Sequence, residues 1–223
     1  MRKLIDQPTF DTAPQGAAGK SHKHESAERQ VSGQARYIDD MPEAANIHHV
    51  AVGVSSVTSG IITSIDLSQV LSSEGVIDVI TEQDIPGHKD IGPVFPGDPL
   101  LAGSEILYHS QPIFAVLATS VNLARQATLK ANIVISPTQA CLSVSQAKDQ
   151  ENFVRPPHFM RRGDFQKSYA QSPVHIEGEM IIGGQEHMYL EGQVSMAIPE
   201  EEDRMLVYSS SQHPSEVQKL IAE

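Results

Sequence analysis

Short runs of β-branched and aliphatic residues, separated by polar breaks, set the rhythm of this chain. Residues 48–54, 60–66 and 75–81 each have the length and the Val/Ile content of a strand. The run from Gly75 to Thr81 predicts a well-buried strand, and Gln111-Pro112-Ile113-Phe114-Ala115-Val116-Leu117-Ala118 predicts a central one. Residues 132–136 return as a further strand. Between these lie two helical patterns. One is short, over 67–71, with Leu67 and Leu71 four apart and Val70 between them. The other runs over 122–131 and is the best helix of this half. Strands on both sides of two helices, with glycine-marked ends, predict a compact α/β or α+β domain over residues 26–140.

Around this domain the pattern weakens. Residues 1–25, with Pro8, Pro14, Gly16 and Gly19 among scattered polar residues, read as a mobile or docking arm. A glycine- and proline-rich loop is expected over 86–99. Residues 141–165 read as a crossing linker, because Pro156 and Pro157 sit among polar residues and prevent a regular element there. Within it Arg162-Gly163-Asp164 is read as a turn. Strand-like alternation resumes over 174–182 and again over 194–199. The acidic turn 200–203 then leads into 205–209, which is antiparallel-sheet logic. Residues 213–223 open a helix, with Pro214 in its first turn and Val217, Leu220 and Ile221 on its apolar face. That helix has no C-cap glycine after it. The expectation is a chain that forms the front part of a longer polypeptide, with a truncated domain over 166–223 and a soft C-terminal third.

Composition narrows the function. The chain has 223 residues, 39% of them apolar, and no tryptophan, so the core must rest on Val, Ile, Leu, Met and Ala. The formal charge of −12 argues against binding to a nucleic-acid backbone, which needs basic patches. A single cysteine, Cys141, cannot build a disulfide framework, an iron–sulfur site or a Cys-rich zinc site. No apolar run approaches the roughly 18 residues of a membrane span. The basic N-terminus lacks the apolar stretch of a secretory signal. These features together lead to an expectation of a cytoplasmic protein with no membrane partner.

The densest chemistry lies in Gly183-Gly184-Gln185-Glu186-His187-Met188-Tyr189-Leu190-Glu191-Gly192-Gln193. Adjacent glycines let a backbone approach something bulky. The amide after them can donate and accept hydrogen bonds without changing charge. Glu186, His187, Tyr189 and Glu191 could serve acid–base chemistry, but a buried hydrogen-bonded network shaping the loop is the preferred reading. His22, His24 and Glu25 have a spacing compatible with metal ligation. Beside an arm, adventitious binding or none is expected of them. His48 and His49 alternate across a strand and cannot both face one metal.

The run Gly183 to Glu191 resembles the signature of the molybdenum-binding catalytic subunit of xanthine dehydrogenases and aldehyde oxidases. Other pieces resemble the same subunit in order. They are Val31-Ser32-Gly33-Gln34-Ala35-Arg36-Tyr37-Ile38-Asp39-Asp40-Met41-Pro42, then Gly92-Pro93-Val94-Phe95, Asp98-Pro99-Leu100-Leu101-Ala102, Gln111-Pro112-Ile113-Phe114-Ala115-Val116 and Arg162-Gly163-Asp164. The departures are Met188 in place of an aromatic, Gly192 in place of a small hydroxyl residue, and Ser110 in place of glycine.

The resemblance implies an α+β fold, with an α/β-hammerhead-like N-terminal domain followed by the start of a mixed α/β molybdenum-cofactor-binding domain. It implies that Gln185 faces the apical ligand of a molybdenum–molybdopterin group, with Gly183 and Gly184 approaching the cofactor. The implied activity is hydroxylation of a purine carbon with oxygen from water. Iron–sulfur clusters and FAD would sit on a partner subunit, giving a hetero-oligomer. Most pterin contacts and the general base would lie outside the chain, leaving it inactive alone. The alternatives are a non-catalytic binding or assembly module of the same fold and a fragment of an aldehyde oxidase.

Overall fold

Strand pairing follows the apolar runs. The computed structural model describes residues 19–223, so the first part of the arm expected over 1–25 lies outside the described residues. The described chain is α+β. In chain order, α1 (Ala27–Ser32) precedes β1 (His49–Val54), β2 (Gly60–Asp66), α2 (Ser68–Leu71), β3 (Val76–Thr81), β4 (Glu105–Ile106), β5 (Pro112–Ala118), α3 (Val121–Thr128) and β6 (Asn132–Pro137). Then come α4 (Val144–Asp149), α5 (Phe165–Ala170), β7 (Ser195–Pro199), β8 (Met205–Ser209) and α6 (Pro214–Ala222). The chain divides into two compact units, one of Glu43–Met188 with Ser211–Glu223, the other of the residues up to Pro42 with Tyr189–Ser210.

In the larger unit β5 is central to an antiparallel sheet of order β1-β5-β3. Its residues Ile113, Phe114, Val116 and Ala118 are all buried. Helix α3 packs across β1 and β5 and buries Ala124 and Ala127. Its start is fixed by Ser120, whose hydroxyl accepts the Leu123 N–H at 3.3 Å. A second antiparallel sheet has the order β4-β2-β6. The core gathers Val70, Ala102, Ile106, Ile113, Phe114, Val116 and Ala127. Gly53 faces Phe114 across the strands. A Cβ at Gly53 would lie 2.1 Å from the Phe114 ring, so the aromatic occupies the space that a side chain would need.

Two buried polar residues tie the loops at one end of β5. Gln111 accepts the Leu107 N–H at 2.7 Å through its side-chain oxygen, and its carbonyl accepts the Ser55 N–H at 2.9 Å. The neighbouring Ser110 has φ 66°, left-handed backbone at a non-glycine residue. The glycine that the family pattern places here would adopt this conformation without strain. We expect Ser110→Gly to raise the unfolding free energy by roughly 0.5–1 kcal/mol, since relief of left-handed strain outweighs the extra freedom of the unfolded chain. Urea unfolding of the two proteins side by side measures it.

The loop over 86–99 is ordered by one carboxylate. Asp90 accepts the N–H groups of Gly92 at 2.8 Å and Gly97 at 2.6 Å, and that of Asp98 at 3.3 Å. Those backbone donors hold the Asp90 carboxyl below its ordinary pKa, Gly92 most of all. The Arg155 guanidinium stacks over the Phe95 ring of this loop, 3.5 Å from its centroid.

The second half departs from the sequence pattern in two places. Residues 174–182 form no strand: the alternation is present, but no neighbouring strand pairs with it, and Ile176, Met180 and Ile182 stay exposed. The linker expected over 141–165 contains a helix, α4, and a further unexpected helix, α5, starts at its end. Both begin at side-chain caps. Ser143 accepts the Gln146 N–H at 3.2 Å, and Asp164 accepts the Lys167 N–H at 3.0 Å. Gly163, with φ 77°, makes the turn before α5, so Arg162-Gly163-Asp164 is a helix-entry turn. In α6, Pro214 occupies the first turn and the His213 ring accepts the Glu216 N–H at 3.1 Å. In the smaller unit β7 and β8 pair as an antiparallel hairpin.

Candidate functional site

The glutamine run lies in backbone without helix or strand. Gly183, Gly184, Gln185, Glu186 and His187 are all exposed. Among the described residues, nothing lies within 4 Å of where a Cβ at Gly183 or Gly184 would sit. The two glycines therefore leave their backbone open to close approach from outside. Gln185, Glu186 and His187 line a solvent-open depression of about 480 Å³. The Gln185 amide makes no hydrogen bond among the described residues, so both its donors and its acceptor are free.

The buried network expected of Glu186, His187, Tyr189 and Glu191 is not present. Glu186 reaches only the N–H of its own neighbour His187, at 3.1 Å. Tyr189 receives the Gln193 amide at 3.5 Å. Glu191 is half-buried and accepts the Ile38 N–H at 3.0 Å. The network fails to form because Gly183 to Leu190 carries no element that packs it down. Met188 adopts left-handed backbone at φ 48°.

Just before this run a small cluster is held together. The Tyr169 hydroxyl donates to Glu177 at 2.8 Å, and the His175 ring stacks on Tyr169 with centroids 4.2 Å apart. The bond to Glu177 raises the Tyr169 phenol above its ordinary pKa, since the proton is held between them. This cluster is not legible as a unit in the sequence. Its only signal was an aromatic on α5 followed by alternating His175 and Glu177.

Of the other candidates, the His24 ring accepts the Ser26 N–H at 3.2 Å and so caps a turn. Among the described residues no group of three His, Cys, Asp or Glu could hold a metal ion. Cys141 is half-buried and points at the Ser143 carbonyl, 3.8 Å away. No helix of the described residues is long and apolar enough to cross a membrane.

Comparison with known proteins supplies the family. Residues 32–138 match the model of the aldehyde oxidase and xanthine dehydrogenase a/b hammerhead domain. Residues 146–223 match the model of the molybdopterin cofactor-binding domain. The chain belongs to the aldehyde oxidase and xanthine dehydrogenase family.

It is 34% identical over 207 residues to a xanthine dehydrogenase of Calliphora vicina, a match covering 92% of this chain and 15% of that protein. It is 36% identical over 210 residues to aldehyde oxidase 3 of Rattus norvegicus, covering 93% of this chain and again 15% of the relative. The chain thus spans about a sixth or less of these relatives' length. Among solved structures, it superposes on the aldehyde oxidoreductase of Desulfovibrio gigas with a TM-score of 0.71 and 26% identity, covering 84% of this chain and 23% of that one. The architecture is therefore a hammerhead domain followed by molybdenum-cofactor-binding sequence, in a family of molybdenum hydroxylases. The residues of the glutamine run fit such a group in their chemistry. A neutral amide stands free beside two side-chain-less positions, open to approach from outside.

Proposed function

We propose that the chain is the N-terminal part of the molybdenum-binding subunit of a purine-oxidising dehydrogenase. In this reading residues 26–140 are the hammerhead domain, 141–165 the linker and 166–223 the first part of the cofactor-binding domain. The observation that carries it is the free Gln185 amide after two open glycines, within sequence matched by the cofactor-binding model. Gln185 donates its amide N–H to an oxygen ligand of the molybdenum, and Gly183 and Gly184 admit the cofactor to backbone contact. A carboxylate at Gln185 would add charge beside that ligand, whereas the amide orients it without altering the charge. When bound, the molybdenum–pterin group supplies the two-electron oxidation of the substrate carbon. Glu186 and His187 line the depression beside Gln185.

The single cysteine of residues 1–223 cannot ligate an iron–sulfur cluster within them, and the reading assigns clusters and FAD to a partner subunit of a hetero-oligomer. The isolated 1–223 chain is expected to be inactive, and the working enzyme is placed in the cytoplasm. A second reading, an aldehyde-oxidising enzyme, is favoured by one observation: the identity to the rat aldehyde oxidase, 36%, is slightly above the 34% to the insect xanthine dehydrogenase.

The test is kinetic and analytical, on the holoenzyme that contains this sequence. Molybdenum and pterin should be present at one per chain, and kcat/KM for hypoxanthine or xanthine should exceed that for aromatic aldehydes. A preparation with full molybdenum that oxidises aldehydes in preference to purines would establish the second reading. One with no molybdenum would overturn both.

A further inference from the structure

Gly87 needs room that its own loop does not take up. A Cβ there would lie 2.5 Å from the backbone oxygen of Glu223 and 2.7 Å from its carbonyl carbon. Nothing else among the described residues beyond its chain neighbours comes within 4 Å of that point. Gly87 does not adopt left-handed backbone, so the position requires glycine for space and not for its angles. The obstruction is main chain, which cannot swing aside as the tip of a flexible side chain can. Glu223 is held in turn by α6. Its N–H donates to the Lys219 carbonyl at 3.1 Å, and its carboxylate faces the Lys219 ammonium at 3.5 Å. The absent side chain at Gly87 therefore decides how near the end of α6 can come.

Two further observations set α6 against the hammerhead. Residues 146–223 are matched by the cofactor-binding model and 32–138 by the hammerhead model, yet Ser211–Glu223 belong to the same compact unit as Glu43–Met188. On α6, Val217 and Leu220 are half-buried, while Gln218 and Lys219 between them are exposed. Residues three apart lie on one face of a helix, so α6 turns one apolar face away from solvent.

We propose that the stretch opening at Pro86-Gly87 is the docking surface for α6, and that this contact joins the hammerhead to cofactor-binding sequence. The occupant is the C-terminal end of α6, seated backbone to backbone on Gly87, with Val217 and Leu220 supplying its apolar face. The joint is independent of the role of Gln185 and serves a purine- or an aldehyde-oxidising enzyme alike.

The experiment uses the holoenzyme with Gly87→Ala, Leu220→Ala, the double variant and, as a control, Gly178→Ala. Backbone hydrogen exchange is the readout. In Gly87→Ala the α6 amides from Gln218 to Glu223 should exchange about 10-fold faster, while those of β5 keep their wild-type rates. Gly178→Ala should change neither, since nothing lies within 4 Å of the added Cβ. Leu220→Ala acts from the other side of the joint. It should speed exchange at Gly92 and Gly97, whose N–H groups are bound by Asp90 in the loop that follows Gly87. The double variant should be less perturbed than the sum of the two, because a loosened helix no longer presses on residue 87. If Gly87→Ala yields no folded holoenzyme, Leu220→Ala decides alone, by whether the loop amides respond. Wild-type exchange in α6 of Gly87→Ala, wild-type exchange in the loop of Leu220→Ala, or strictly additive effects in the double variant would each overturn the joint.

Discussion

Phe114→Ala is expected to lower the unfolding free energy by about 3–5 kcal/mol, the largest effect of any single truncation among the described residues. Among the described residues Phe114 is the bulkiest fully buried side chain, in the central strand β5, and its neighbours in the core are Val70, Ala102, Ile106, Ile113, Val116 and Ala127. Removing the ring deletes its transfer energy and leaves a void that these side chains cannot fill without moving strands. Gly53 makes the prediction sharper. Its absent Cβ would fall 2.1 Å, 2.2 Å and 2.7 Å from three ring atoms of Phe114, so Gly53→Ala alone forces the ring out of place and destabilises. In the double variant the new methyl group occupies part of the space the ring has left. The two changes should therefore be non-additive, with the pair less destabilised than the sum. Urea unfolding of the wild-type chain, both single variants and the double variant closes the cycle. Strict additivity would mean that Phe114 does not cover Gly53 in solution.

Gln185→Ala in the holoenzyme is expected to reduce kcat by 10- to 100-fold, the range typical of lost outer contacts to a metal's ligands. The residue is exposed and free of partners among the described residues, so its loss should cost no folding stability. That separation is the diagnostic: melting temperature and molybdenum content unchanged, turnover reduced. Gln185→Glu should be at least as damaging, because it keeps the size and an acceptor but replaces the donor with negative charge. Parallel measurement of thermal unfolding, metal content and steady-state rates checks it. A Gln185→Ala enzyme with full activity would leave the amide without a role.

Much of the hammerhead half was legible in the chain. β-branched runs at 48–54, 60–66, 75–81, 111–118 and 132–136 all became strands, with ends shifted by at most one residue. The helix expected over 122–131 formed as α3, Val121–Thr128, capped by Ser120. These signals are local: length, branching and a capping residue act within a few positions. The run 174–182 had the same alternation and formed no strand, since alternation states that one face seeks burial but not which strand will meet it. Helices α4 and α5 carry a local signal in Ser143 and Asp164, whose side chains cap them, but the prolines at 156 and 157 are the stronger signal in that stretch and speak only for irregular backbone. At the site, the sequence predicted a buried network of Glu186, His187, Tyr189 and Glu191 that did not form, because burial depends on what else packs there.

The order of residues alone determined the strands, the long helix, the acidic charge and the glutamine run with its likeness to a molybdenum enzyme, because each is written in neighbours a few positions apart. Only the tertiary structure decided that Phe114 fills the place of a side chain at Gly53, that Ser110 carries the strain of a glycine position, and that Glu191 takes the Ile38 N–H. Each of these joins residues distant in the chain, and a bond between distant residues exists only once packing has brought them together.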